Sequence, residues 1–352
     1  MQGPGRGGAR PPIGIALEAD LGNRIDAVLA VAMLNGFITK SESRTIALCV
    51  SNASIKSARL ADVLAGFYAP RPVGGVSMVG MPEGPALSQD APPLAEILTK
   101  TATDGTPVYT SNIATVIDTA DNAVHIRNVL LAQIDGNAAV VVAGPATGAA
   151  RLVGLFGARP QIEVKVARLV LALGTFDKGA PDPAVKADIA AARKVLAEWP
   201  TEVIAVGTEV GAALPYPGSS IEADLAWAPA HPVADAYRAF RPMPYDAPTT
   251  ALAATLHAVH PTGGYFQLSD PGTITVMNDG STQFAPGAAG RHRYLIVDPA
   301  QKDRVMKLYT EMVSARPAPR PGRRGGPPPA AQQPPQQPPL APPPPTAKPP
   351  AP

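Results

Sequence analysis

Cysteine occurs once in these 352 residues, and aromatic side chains make up only 5% of them. A lone thiol, Cys49, excludes an internal disulfide and reads as filler in the buried strand Thr45–Val50. No apolar run reaches the ~20 residues of a membrane span, because the richest stretch, 138–158, is broken by Gly144-Pro145 and Arg151. Residues 1–12 lack the apolar core of a signal peptide. The chain therefore reads as soluble and outside the membrane, either cytoplasmic or, if a leader has been removed, periplasmic or secreted. Formal net charge is only +2, and much of the basic excess lies at Arg316, Arg320, Arg323 and Arg324. The rest is close to neutral and offers no footprint for nucleic acid. The five histidines are scattered, and His257 and His260, which share a helical face, have no cysteine or carboxylate at zinc spacing. No Gly-x-Gly-x-x-Gly follows the first strand, which argues against a dinucleotide-binding oxidoreductase.

Composition divides the chain into three. Residues 1–12 are rich in Gly, Arg and Pro, 13–314 are ordinary globular sequence, and 315–352 are nearly all Pro, Ala, Gln, Gly and Arg. The two ends cannot bury a core, so disorder is expected there, with polyproline II character in the tail. That tail reads as a ligand for a proline-recognising partner, a wall-associating spacer or an inert extension. Between the ends, strands are predicted near 13–17, 45–50, 73–79, 138–143, 168–173 and 202–207. Helices are predicted near 24–35, 54–67, 120–132, 186–198 and 247–258. This alternation predicts a single α/β domain with a mostly parallel, doubly wound, Rossmann-like sheet, in which strands 13–17 and 138–143 end on the same edge.

Three carboxylates, Glu18, Asp20 and Asp26, cluster where the apolar strand beginning at Ile13 turns into a helix. Ligands bind at such carboxyl ends in open α/β sheets. Gly22 offers the turn and Asn23 an N-cap, and the helix dipole would face the acids. Several oxygen ligands on one turn suit Ca²⁺ or Mg²⁺. The alternative is that Asp20 and Asp26 cap the helix and Glu18 is solvated. Asp246 after Arg241–Tyr245 reads as another N-cap, Gly144-Pro145 as a turn after a strand, and Asn52 as a turn residue. Glu209, at a strand's carboxyl end, is a pocket candidate.

The segment Glu18-x-Asp20-x-Gly22-Asn23-Arg24-Ile25-Asp26-Ala27 resembles the opening Asp-x-Asp-x-Gly-x-Asp-Asp-Ala signature of the inosine/uridine-preferring nucleoside hydrolases. It is similar to a divergent bacterial branch of that family, with one residue inserted and one of the paired aspartates missing. The segments 140–147, 188–200 and 241–246 follow in the family's order, so the resemblance spans 13 to about 312. It implies Ca²⁺ held by Asp20, Asp26, Asp246 and the main-chain carbonyl of Thr147, with Asp20 as the base that activates a metal-bound water. Glu18 takes the first acidic position of the signature. Asp246 would also bind the ribose, and Asn52 would supply a further sugar contact. The family's sugar-binding Glu-Phe-Asn aligns with Asp182-Pro183-Ala184, which keeps the acid and loses the amide. Tyr245 stands where a histidine leaving-group acid is usual, and its pKa of about 10 makes it a poorer acid.

The resemblance implies a Ca²⁺-dependent hydrolase of the N-glycosidic bond of ribonucleosides, taking a small nucleoside-like substrate and open to homo-oligomer formation. The altered positions at 24–25, 184 and 245 leave a rival, a non-catalytic or repurposed binding protein on the same fold.

Overall fold

The first predicted strand sits at the centre of the sheet. The computed structural model describes residues 11–68, 79–87, 92–177 and 179–317, all within one unit that extends to Pro317. The expected disordered ends therefore lie outside the described residues, apart from the few next to the domain. Among the described residues the strands are β1 (Ile13–Ala19), β2 (Ser43–Val50), β3 (Val79–Met81), β4 (Ala120–Asp121), β5 (Ala138–Ala143), β6 (Val166–Leu171), β7 (Glu202–Ala205), β8 (Phe266–Leu268), β9 (Gly272–Val276), β10 (Thr282–Pro286) and β11 (His292–Val297). The helices are α1 (Ile25–Thr39), α2 (Ile55–Tyr68), α3 (Pro92–Thr99), α4 (Asn122–Leu131), α5 (Thr147–Gly154), α6 (Ala158–Lys165), α7 (Pro183–Ala187), α8 (Ile189–Glu198), α9 (Thr208–Ala213), α10 (Gly218–Asp224), α11 (Pro232–Phe240), α12 (Thr250–Val259) and α13 (Lys302–Val313).

The sheet runs β10-β9-β11-β7-β6-β5-β1-β2-β3-β4, with β8 paired to β11. From β11 through β4 every neighbouring pair is parallel, and β8, β9 and β10 pair antiparallel at the other end. The predicted doubly wound α/β fold is the observed one.

Period-2 alternation explains the two cores. Ile15, Leu17 and Ala19 of β1 face a core shared with α1 and α12, whereas Ala16 faces one shared with Val140, Val142 and α4, α5 and α8. Strands buried on both faces need near-continuous apolar sequence, which β1 and β5 have. α1 is buried from Ile25 to Phe37 because it lies between the sheet and α11, α12 and α13. Its Gly36 meets the Met312 backbone of α13 so closely that a Cβ would overlap it.

Several boundaries differ from the sequence expectation for local reasons. The 186–198 helix is two, because Asp182 caps α7 through Val185 N and Asp188 caps α8 through Ala191 N, both at 2.9 Å. The 247–258 helix starts at Thr250, since Ala247 is held in a bridge to Tyr216. β7 ends at Ala205, so Glu209 sits in α9 rather than at a strand end. Most of the predicted 73–79 strand lies outside the described residues.

Candidate active-site crevice

β1 and β5 are adjacent, yet the chain leaves β1 towards β2, β3 and β4 and leaves β5 towards β6 and β7. This reversal opens a crevice at their carboxyl ends, the usual ligand position in such sheets. The loops there are stitched together: Asp20 N donates to Ala143 O at 2.9 Å and Ser51 N to Ala19 O at 3.1 Å. A Cβ on Gly144 would stand 2.5 Å from Ser51 Oγ and 2.8 Å from Asp20 Cβ, so the closure requires glycine.

The turn after β1 places a side chain that the sequence reasoning passed over. Asp20 O accepts Asn23 N at 3.3 Å and Arg24 N at 3.0 Å, and Asn23 Nδ2 donates back to Asp20 Oδ1 at 3.0 Å. Asn23 is therefore not the cap of α1. Arg24 holds that position in an extended conformation, φ −129° and ψ 111°, with no side-chain cap bond. Its guanidinium turns into the crevice instead. Nε donates to Asp26 Oδ1 at 3.1 Å and Nη2 to Asp26 Oδ2 at 2.8 Å, a fork on a carboxylate. Nη1 donates to Ala172 O beyond β6 at 3.0 Å, and Asp26 Oδ2 also accepts Ala251 N of α12 at 2.9 Å.

Burial by itself would lower the Arg24 pKa, but Asp26, then Asp182 and Asp20, outweigh it and raise it above the ordinary value. Asp26 is the acid in contact with the guanidinium, while Asp182 and Asp20 act on it through their charge. Asp182 is buried, and burial raises its pKa against the pull of its backbone donors and Arg24. Glu209 lies in α9, where Asp177 and Asp182 act on it through their charge. Burial raises its pKa, and the two neighbouring acids add to the rise. An arginine two residues before a signature aspartate was the only sequence signal for this hub.

The other predicted residues lie elsewhere. Glu18 points to the opposite face of the sheet, where Oε1 accepts Gly148 N at the start of α5 at 3.0 Å. Burial pushes its pKa up to about 8, against the lowering from the Gly148 and Ala149 amides and from Arg151. Glu18 is fully buried, not solvated. Asn52 is buried and its Oδ1 accepts Leu87 N at 2.8 Å. Thr147 opens α5, so its carbonyl lies in the helical ladder, and its Oγ1 donates to Asp188 Oδ2 at 2.7 Å. Asp246 is exposed and its Oδ1 accepts Gly218 N at 2.9 Å. It does not cap α12. Tyr245 stacks on Tyr237 with centroids 4.3 Å apart and donates its hydroxyl to Tyr237 O at 2.7 Å; burial raises its pKa further.

These donors do not fit the calcium shell that the resemblance implies. Ca²⁺ takes six to eight oxygens with lone pairs to spare. Both Asp26 oxygens already accept N–H donors, three in all, and two of these come from a cationic group. Among the described residues no group of three or more His, Cys, Asp or Glu is placed to hold a metal ion.

Comparison by sequence gives no matching family model and no matching curated protein. By structure the chain is similar to a plant nucleoside hydrolase, at 18% identity and TM-score 0.63 over 87% of this chain and 100% of that one. It is similar also to a purine-preferring ribonucleoside hydrolase from Gardnerella vaginalis, at 16% identity and TM-score 0.63 over 86% and 98%. A third likeness is to the type III effector protein XopQ in complex with adenosine diphosphate ribose, at 16% identity and TM-score 0.56 over 87% and 94%. The chain has the nucleoside-hydrolase fold.

Proposed function

We propose that the crevice binds the ribosyl part of a nucleoside and hydrolyses its N-glycosidic bond, with Asp20 as the general base. The observation that carries this reading is the placement of Asp20 beside the Gly144 loop at the β1/β5 reversal, in a fold shared over most of the chain with nucleoside hydrolases. Such a bond breaks through an oxocarbenium-like state whose positive charge neighbouring carboxylates stabilise. Asp20 takes the proton of the attacking water. Asp182 and Glu209, with raised pKa values, suit neutral sugar hydroxyls, which both donate and accept.

One observation favours the rival, binding without turnover. The Tyr245 hydroxyl is committed to Tyr237 O, so it is poorly placed to protonate a leaving base. Release of ribose from a panel of purine and pyrimidine nucleosides distinguishes the two. The hydrolase reading expects turnover that falls by about 10²–10⁴ in Asp20→Asn, with unchanged circular dichroism. Saturable nucleoside binding with no ribose released by the wild type establishes the binding protein instead.

A further inference from the structure

The geometry points to Arg24 as a built-in cation: its guanidinium holds both oxygens of Asp26, the carboxylate that the resemblance assigns to the ion, so ligand binding here needs no metal ion. This inference rests on reading the crevice as the ligand site.

A buried carboxylate is costly unless a cation or several donors stand against it. Here the cation is covalently part of the chain. Arg24 forms the bidentate pair with Asp26 and a third bond to Ala172 O, so its plane is fixed from two directions. The Asp26 side chain is only 4% exposed, whereas that of Arg24 is 22% exposed. The pair is thus sheltered on the aspartate side and reachable on the arginine side. A guanidinium has five N–H donors, and three are used in these bonds. The other two, one on each terminal nitrogen, remain for the neighbouring acids or for oxygens of a ligand. A vicinal diol is the matching ligand chemistry, since its hydroxyls can accept from the guanidinium and donate to the surrounding carboxylates.

The exchange has a chemical consequence. A guanidinium neutralises and orients, but it has no empty coordination position and cannot bind a water as a Lewis acid does. Asp20 must then deprotonate the water without that help, which makes the carboxylate the whole of the activation.

The test is calcium uptake by isothermal titration, without nucleoside, on chelator-treated full-length protein. The wild type should take up no stoichiometric Ca²⁺ up to about 1 mM, the range of weak calcium sites, and its melting temperature should be the same in Ca²⁺ and in chelator. Uptake of one Ca²⁺ per chain by the wild type overturns the inference. Arg24→Ala frees the Asp26 carboxylate and should gain both uptake and a calcium-dependent rise in melting temperature. Arg24→Lys keeps the charge, loses the fork and should remain without uptake. A folded Arg24→Ala protein that still takes up no Ca²⁺ also overturns the inference, because Arg24 is then not what keeps the ion from Asp26. If Arg24→Ala does not fold, the wild-type titration alone decides. Absence of ribose release would count against the hydrolase and leave these ion measurements standing.

Discussion

The carboxylate of Asp26 in α1 accepts the amide of Ala251 in α12 at 2.9 Å, so one helix caps another whose sequence lies 225 residues further on. The residue at the N-cap of α12, Thr249, has no side-chain cap bond, because its hydroxyl donates to Leu214 O at 2.6 Å. Asp26 supplies the missing acceptor while it holds the Arg24 fork.

Removing that carboxylate should therefore cost more than an ordinary cap. Asp26→Ala strips an acceptor from α12 and leaves Arg24 facing Ala172 O without its counter-ion, so a loss of about 2–4 kcal/mol is expected. Asp26→Asn, which keeps one acceptor, should lose less. Urea denaturation of both variants checks the order, and equal losses would contradict it.

Glu18 makes stability depend on pH in the opposite sense to a surface carboxylate. Its folded pKa of about 8 lies above the ordinary 4.5, so between these values the folded state keeps a proton that the unfolded chain releases. Stability is then fully present below about pH 4.5 and declines as pH rises to about 8, by up to about 1.4 kcal/mol per unit. Glu18→Gln should flatten this limb when wild type and variant are compared by denaturation at pH 5 and pH 8.5, conditions that flank most of the titration.

His257 acts at the acid end. Burial, reinforced by Arg168, lowers its pKa from 6.5 to about 4. The unfolded chain protonates first as pH falls, so stability present above about pH 6.5 is lost towards pH 4. His257→Gln should reduce the loss across that window, as read by melting temperature at pH 7 and pH 4.5.

Two glycines define close approaches. A Cβ on Gly36 would overlap the Met312 backbone, and one on Gly148 would overlap the Asn122 amide and the Glu18 carboxylate. Gly36→Ala and Gly148→Ala should each cost about 1–3 kcal/mol. Alanine at Gly66, where a Cβ would meet nothing within 4 Å, should be tolerated and serves as the control.

How much of this could be read from sequence depended on burial. Strands buried on both faces, β1 and β5, announce themselves by unbroken apolar runs, and α1 by its turn and apolar length. β9 alternates buried and exposed residues over five positions, and β8 is three residues long. Such short antiparallel strands carry little periodicity, and the sequence reading did not anticipate them. At the site, the strand-end acids Asp20 and Asp26 were visible as residues out of place. Arg24 was not, because an arginine two positions from an aspartate is indistinguishable from a solvated surface pair until Ala172 and Ala251 close around it. The solvated alternative for Glu18 fails for the same reason, since only α5, far along the chain, makes it buried.

The bracing of α1 has a consequence for synthesis. Its capping partner is Ala251, Gly36 abuts Met312, and Asn35 and Thr39 bond Ala315 O and Arg316 O at 3.2 and 3.4 Å. A ribosome that has made the first half of this protein has produced Asp20, Arg24 and Asp26 but neither α12 nor α13, which brace them. Long-range contacts of this kind form late. The crevice is consequently a product of the finished chain, and a truncated translation product, stopping short of α12, carries the whole signature without the site.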